Sequence, residues 1–382
     1  MTPVKAFNGF VLKIHSRCNL NCTYCYMYNK SDTTWRKKPK KMDLYTFERT
    51  IEEIRAYAEK KQLPRIHIAL HGGEPLLIGN EVLRRFCSLI RATFAETGID
   101  VSLTIQTNGT LLNKVNCGIL AEYGVGVGVS LDGTPDVNDK ARLDHRGLGS
   151  ASRVEEGVGI LMDHHPDAFS GFLCVLDPAS DATATFDYLT KFHPPALNFL
   201  FPLYTHDDHP PWKEPDSPET SVGDWLIEAF KRWSQSEASV RVVVFESLIH
   251  LLNGGASSTE SFGESGRNIV VVETDGALEI GDALKVTADG LTNLGLNITT
   301  DSLDDAYDLV NSYLVDLGAD SIAPVCESCA ISHVCNGGDL AGRFSLSKGF
   351  RNPNVYCRDI LKLVTHVDDA VRRRQQVLEA ST

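Results

Sequence analysis

The sequence predicts an α/β chain in which a partial (β/α)6, TIM-like barrel precedes a smaller C-terminal domain. Short apolar runs rich in β-branched residues alternate with longer amphipathic segments through the first ~235 residues, as in βα units on a parallel sheet. Six such units can be counted, which suits an incomplete barrel better than a closed eight-stranded one. After the sixth unit the alternation stops, and cysteines, absent between Cys174 and Cys326, return as a second cluster.

Taken in order, the strand candidates are 10–15, 65–71, 101–107, 125–131, 169–176 and 196–203. Helical periodicity follows them at 44–61, 81–97, 114–123, 152–164, 182–192 and 222–233. Residues 204–220 are rich in Pro and Asp and predict a long loop, and 253–267, full of Gly and Ser, a connector. A strand-like stretch 268–273, a turn at Asp275-Gly276 and a closing helix at 361–378 complete the chain. The expected division is a barrel over 1–235, a connector over 236–267 and a cysteine-bearing domain over 268–382.

With 37 basic and 50 acidic residues the net charge is -13, which argues against a non-specific nucleic-acid or anionic-membrane binder. The N-terminal residues show no export pattern, and no run approaches the ~20 apolar residues that span a bilayer. A cytoplasmic protein is expected, without nucleic-acid or membrane partners. Ten cysteines in such a chain point to metal or redox chemistry rather than disulfides.

Cys18, Cys22 and Cys25 fall within eight residues directly after the first strand. Soft thiolates select iron–sulfur, zinc or copper(I), and three ligands on a cubane leave one iron open to a substrate. From the spacing alone, zinc completed by the nearby His15 is the alternative. Cys326, Cys329, Cys335 and Cys357 form a four-thiolate set that spacing assigns equally to a closed iron–sulfur cluster or to structural zinc.

The first loop, RCNLNCTYCYMYN, resembles the radical S-adenosylmethionine (SAM) superfamily, whose signature is C-x3-C-x-aromatic-C, with Tyr24 in the aromatic position. HGGEP (71–75) follows the second strand, where that family holds the amino group of SAM with Gly-Gly-Glu-Pro. The resemblance makes Gly72, Gly73, Glu74 and Pro75 cofactor contacts: glycines admit a close ligand, and a carboxylate suits an ammonium. QTNGTLL (106–112), SLDG (130–133) and NDKAR, ending at Arg142, resemble segments of the sulfatase-maturase and peptide-maturase branch. By that likeness Ser130 contacts the ribose and Arg142 the SAM carboxylate, while Asp132 supports its turn.

CESCAISHVCNGGD resembles the SPASM domain, which carries seven cysteines and two auxiliary clusters. Here Asp339 follows Asn336-Gly337-Gly338 in place of a cysteine, and Gly281-Asp282 stands where another is expected. Both missing positions belong to the first auxiliary cluster, so one auxiliary [4Fe–4S] cluster is expected beside the SAM-binding one. This variant, with the ETDG segment and NPNVYC (352–357), resembles the FxsB-type peptide maturases. The likeness implies a ribosomally made precursor peptide as substrate, a cyclophane crosslink between an aromatic ring and a β-carbon as product, and a flavodoxin or ferredoxin as reductant. Formylglycine formation on a sulfatase, or a non-catalytic iron–sulfur or zinc protein, are the alternatives. Asp282, near the place of the maturases' base, is either that catalytic base or a turn- and helix-capping residue.

Cys87, Cys117 and Cys174 are expected in ordinary packing, and His206-Asp207-Asp208-His209 in a polar loop. The basic run 36–41 is expected on a solvated surface, with docking of an acidic donor or the precursor as the alternative, and Arg372-Arg373-Arg374 on the exposed face of the last helix.

Overall fold

The first strand, Gly9–His15, sets the plan of the chain. Its burial is nearly continuous, as a strand with neighbours on both sides requires. In the computed structural model, which describes residues 6–215, 217–236, 240–257, 259–263 and 268–380, that strand is β1. It is followed by α1 (Leu44–Lys60), β2 (Arg65–Gly72), α2 (Asn80–Phe94), β3 (Asp100–Thr107), α3 (Lys114–Glu122) and β4 (Gly126–Ser130). Then come α4 (Pro135–Ala141), α5 (Ala151–His164), β5 (Phe169–Val175), α6 (Ala182–Thr190), β6 (Ala196–Leu200) and α7 (Ser221–Ser234). All six expected βα units are present.

Several elements fall where the sequence reading placed none. The short β7 (Arg241–Val242) and α8 (Val243–Leu252) lie inside the stretch read as a connector, and α4 follows the fourth strand. Beyond β8 (Ile269–Val272) and β9 (Ala277–Glu279), β10 (Asn293–Asn297) and α9 (Leu303–Asp316) precede the cysteine-bearing turns α10 (Pro324–Glu327), α11 (Ser332–Cys335) and α12 (Leu340–Arg343). The closing helix α13 (Cys357–Ala380) starts four residues earlier than its periodicity suggested. Residues 237–239, 258 and 264–267 of the expected connector lie outside the described residues.

The chain forms two compact units, the first comprising residues 1–131, 138–172 and 266–313. Within it β1 pairs in parallel with β2 and β8, β2 with β3, and β3 with β4, while β8, β9 and β10 form an antiparallel extension. Side chains alternate across these strands. One face, including Phe10, Leu12, Ile14, Ile68, Leu70, Leu103 and Ile105, is buried. The other carries Lys13, His71, Gln106, Gly128 and Ser130, small and polar residues that a purely apolar core would not use. A Cβ on Gly128 would lie 2.4 Å from Oε1 of Gln106, so glycine there makes room for the glutamine. Asp43 caps α1 and an Asn113–Asn116 capping box starts α3.

The second unit, residues 132–137, 173–265 and 314–382, contains the parallel pair β6–β7 and the packed helices α7, α8 and α13. Trp225, Leu226, Phe230, Phe245, Leu248, Leu363 and Val367 are among its buried side chains. Lys213 and Asp359 pair at 2.6 Å inside it, and the same carboxylate accepts the backbone N–H of Gly223. Gly223 can be nothing larger, since its Cβ would sit 2.6 Å from the carbonyl oxygen of Asp359.

Candidate active site

The loop after β1 carries the first three cysteines, none of them in a disulfide. Tight backbone bonds curl it: Cys25 N–H donates to Cys22 O at 3.0 Å, and Asn29 N–H to Cys25 O at 2.9 Å. The three thiols are close enough to feel one another. Burial pushes the Cys18 thiol up to about 12, with the charges of Glu74, Cys22 and Cys25 adding to it, and burial pushes Cys25 up to about 11. A bound cation would offset the charge of these thiolates. Asn108 reaches back from the end of β3, donating to Asn19 Oδ1 at 2.8 Å and to Cys18 Sγ at 3.7 Å. His145 lies 3.0 Å from the Cys18 carbonyl. His15 turns instead to the backbone of Arg17, whose N–H donates to its Nδ1 at 3.2 Å. Among the described residues no three His, Cys, Asp or Glu side chains are gathered around a single-ion position; a cubane's thiolates bind separate irons.

The Gly72-Gly73 pair packs tightly against the cysteine loop. A Cβ on Gly72, whose φ is +144°, would lie 2.1 Å from the His15 carbonyl oxygen, and one on Gly73 would lie 1.9 Å from the Tyr28 hydroxyl. The close approach they permit is to the chain's own cysteine loop, sealed by Gly73 N–H to His15 O at 2.9 Å and Glu74 N–H to Arg17 O at 3.0 Å. Pro75, buried, opens a 3-10 turn over Pro75–Ile78. Glu74 is fully buried and accepts three bonds: from Leu76 N–H at 3.0 Å, Thr107 Oγ1 at 2.8 Å and Asn108 N–H at 2.8 Å. Burial raises its pKa, against those donors and the Arg142 charge. The motif thus ties the ends of β1, β2 and β3 together.

Arg142, buried, donates to the Tyr24 hydroxyl at 2.8 Å, and its charge is felt by both Cys25 and Glu74. Ser130, at the end of β4, accepts from Gln106 Nε2 at 2.9 Å. Asp132 ties its turn to β5: Oδ1 accepts the N–H of Val175 at 3.0 Å.

Asp282 does not cap. It opens the 3-10 turn Asp282–Val286 without a side-chain capping bond, and its Oδ2 instead accepts from the ammonium of Lys13. Burial alone would raise its pKa, but Lys13, His71 and Lys285 outweigh that and hold the carboxyl below the ordinary range. Lys13, one per cent exposed in the middle of β1, also lies 3.3 Å from His71 Nδ1, its register partner on β2. Burial, then the Lys13 charge, push His71 down to about 4. On the same turn Lys285 is equally buried and meets Glu279 at 2.5 Å, Asp32 at 3.1 Å and Glu273 at 3.4 Å. Sequence reasoning missed Lys13, His71 and Lys285. A lysine inside the apolar run VLKIH was the available signal.

The second unit gathers the other four cysteines. Burial pushes Cys335 up to about 12, with Cys357, Cys326 and Cys329 adding to it. Three successive left-handed residues, Asn336, Gly337 and Gly338, turn the chain after Cys335. Asp339 then caps α12, accepting Gly342 N–H at 2.8 Å, and also accepts Asn354 Nδ2 at 2.9 Å. Buried Arg343 donates to the carbonyls of Phe350 and Ser321, and its charge favours the Cys326 thiolate.

The remaining candidates have structural roles. Cys87, Cys117 and Cys174 are wholly buried. His206 lies 2.7 Å from the Pro353 carbonyl, and Asp207 accepts Leu346 N–H at 2.7 Å. The basic run is partly consumed by the fold: Lys38, buried, pairs with Asp275 at 3.0 Å, and Lys41 donates to Ile78 O. Arg372 pairs with Asp368 on α13.

Residues 12–187, which include the cysteine loop, the Gly-Gly turn and Arg142, match the family described as the Radical SAM superfamily. Over that stretch the chain is similar to radical SAM enzymes. It is 27% identical over 355 residues to a serine-type anaerobic sulfatase-maturating enzyme of Klebsiella aerogenes, covering 90% of this chain and 83% of that protein. In fold it matches native anSMEcpe with bound AdoMet at a TM-score of 0.82, with 23% identity over 96% of this chain and 98% of that one. Streptococcus suis SuiB matches at 0.60, with 15% identity over 92% and 77%. The architecture is therefore the partial (β/α)6 barrel with a SPASM-like C-terminal domain that the sequence predicts.

Radical SAM enzymes use a [4Fe–4S] cluster and SAM, and the donors here fit the cluster: three soft, mutually repelling thiols on one loop. No described helix is long and apolar enough to cross a membrane.

Proposed function

We propose that this radical SAM post-translational-modification enzyme acts in the cytoplasm on a ribosomally made precursor peptide. It joins an aromatic ring to a side-chain β-carbon as a cyclophane-type crosslink, in the manner of the FxsB-type maturases. In this reading 1–235 handles SAM and 268–382 carries the auxiliary site, with β7 and α8 lying in the connecting stretch 236–267. Cys18, Cys22 and Cys25 hold the SAM-binding cluster, and Cys326, Cys329, Cys335 and Cys357 the auxiliary one. Gly72, Gly73, Glu74 and Pro75 form the amino-group end of the SAM site, Ser130 the ribose end, and Arg142, steadied by Tyr24, the carboxylate end.

The observation that carries this reading is the fate of the two aspartates standing where cluster ligands are expected. Asp339 is committed to Gly342 and Asn354, and Asp282 to Lys13. Each carboxylate is engaged by a neighbour and neither residue supplies a thiolate, which supports a single auxiliary site. When bound, SAM and its cluster supply a 5'-deoxyadenosyl radical that takes hydrogen from the substrate carbon, and the auxiliary cluster supplies an electron acceptor. The chain's own contribution is a base. Asp282, held ionised in a water-poor setting, takes the proton lost when the ring regains aromaticity. SuiB, similar in fold, is known with precursor peptide SuiA bound, which supports a peptide substrate. A flavodoxin or ferredoxin is the proposed reductant.

A second reading, formylglycine formation, is favoured by the likeness to the Klebsiella maturase over 90% of the chain. Both products lose two hydrogens, about 2 Da. Tandem mass spectrometry with aldehyde labelling separates them. A fragmentation-resistant span without labelling is expected; an aldehyde, or free fragmentation throughout, rejects the crosslink.

A further inference from the structure

Asp282 offers its two carboxylate oxygens to very different surroundings. Oδ2 accepts from the Lys13 ammonium, whereas Oδ1 is buried and has no hydrogen-bond partner among the described residues. A buried carboxylate oxygen in this position favours a hydrogen-bond donor. The side chain as a whole keeps 15% of its exposure.

We propose that Lys13 is a positioning residue for the proton-accepting step: by holding Oδ2 of Asp282 it presents Oδ1 to the substrate proton. The proposal rests on the reading of Asp282 as the base. Three features of the structure support it.

The first is that Lys13 is not needed to anchor the turn. Lys285, with Asp32, Glu273 and Glu279, already fastens that turn to the segment after the cysteine loop, and Ser31 Oγ donates to Val286 O at 3.0 Å. A buried ion pair is weak stabilisation compared with apolar packing, so a second lysine in an apolar strand calls for another reason.

The second is the register. Lys13 and His71 are partners across β1 and β2, and an ammonium has donors only, so His71 Nδ1 accepts and Nε2 carries the hydrogen. His71, its pKa lowered by burial and by the Lys13 charge, thus accepts from the ammonium and fixes its direction. Met27 Sδ, at 3.6 Å, takes a further donor direction of Lys13 and limits its swing.

The third is the set of charges around the carboxylate. Lys13 comes from β1, His71 from β2, Lys285 from the same turn and Glu273 from the end of β8. Of the two cations only Lys13 is in contact with Asp282, since Lys285 is engaged by three other carboxylates. In the step itself a ring C–H bond breaks and its proton bonds to Oδ1. Of the bonding pair and the unpaired electron, two electrons complete the aromatic ring and one leaves to a one-electron iron–sulfur oxidant.

The test compares full-length, anaerobically reconstituted wild type, Lys13→Met, Lys13→Arg and Asp282→Asn, reading modified peptide formed per 5'-deoxyadenosine at several pH values. Because the ratio counts only molecules that cleave SAM, partial loss of loaded protein scales both quantities together. Removing the cation raises the Asp282 pKa, so its base form is lost at higher pH. The ratio for Lys13→Met should fall about tenfold per unit of upward pKa movement on the acid side, and recover as pH rises. Lys13→Arg, still cationic, should keep the wild-type acid limb. A Lys13→Met profile superimposable on wild type, with Asp282→Asn inactive in peptide modification, overturns the role of Lys13 and leaves the base in place. Full product from Asp282→Asn overturns the base itself.

Discussion

The two cysteine groups solve the same ligand problem in opposite ways. The first is made by a single loop, three thiols within eight residues, braced by its neighbours through Gly73, Glu74 and Asn108. The second draws four thiols from 32 residues of sequence and depends on α10, α11, the left-handed run 336–338 and the start of α13 to bring them together. A loop with three ligands keeps one iron open for chemistry, whereas four ligands close a site and fit it for electron transfer. The contrast separates a catalytic job from a supporting one.

The largest effect that sharpens this contrast comes from the second group. Replacing Cys326, Cys329, Cys335 and Cys357 by Ala should remove about half of the roughly 8 iron atoms of the two cubanes. Peptide modification should be lost with 5'-deoxyadenosine still forming. Elemental analysis of native protein finding zinc at this group breaks the comparison.

Next comes Lys285→Met, which leaves Glu279, Glu273 and Asp32 buried without their cation and should cost about 3–5 kcal/mol in chemical denaturation. A midpoint unchanged from wild type contradicts the hub.

Gly73→Ala should follow, at about 1–3 kcal/mol, because its Cβ meets the Arg17 backbone at 2.6 Å as well as the Tyr28 hydroxyl. It should also slow SAM cleavage, which is read as 5'-deoxyadenosine formed per loaded cluster. Smallest is Asp43→Ala, which removes the cap on Thr46 N–H and should cost about 1 kcal/mol in the same denaturation experiment without altering SAM cleavage.

The sequence made local features legible and distant ones not. The cysteine loop, the Gly-Gly turn and the βα alternation are each written within a few residues, by spacing or by period. Lys13 and Asp282 are 269 residues apart, and only the parallel β1–β8 pairing and the β8–β9 hairpin bring their elements into one sheet. Helix α8 was hidden because its VVFESLIHLL run sits among Gly- and Ser-rich flanks that read as linker. The glycines of HGGEP were legible as a close approach, but their partner, the His15–Arg17 backbone, was not. Asp282 was singled out from its place in the motif, and its side chain's engagement with Lys13, rather than with a helix N-terminus, became visible only in three dimensions.

The most direct measurement is made on the chain with Cys18, Cys22 and Cys25 all changed to Ala, reconstituted anaerobically and given SAM, reductant and peptide. The expected result is loss of about half the iron together with complete loss of 5'-deoxyadenosine, since one cubane remains and it has no open iron. Continued 5'-deoxyadenosine formation by this variant would contradict the assignment of the first loop as the catalytic cluster site.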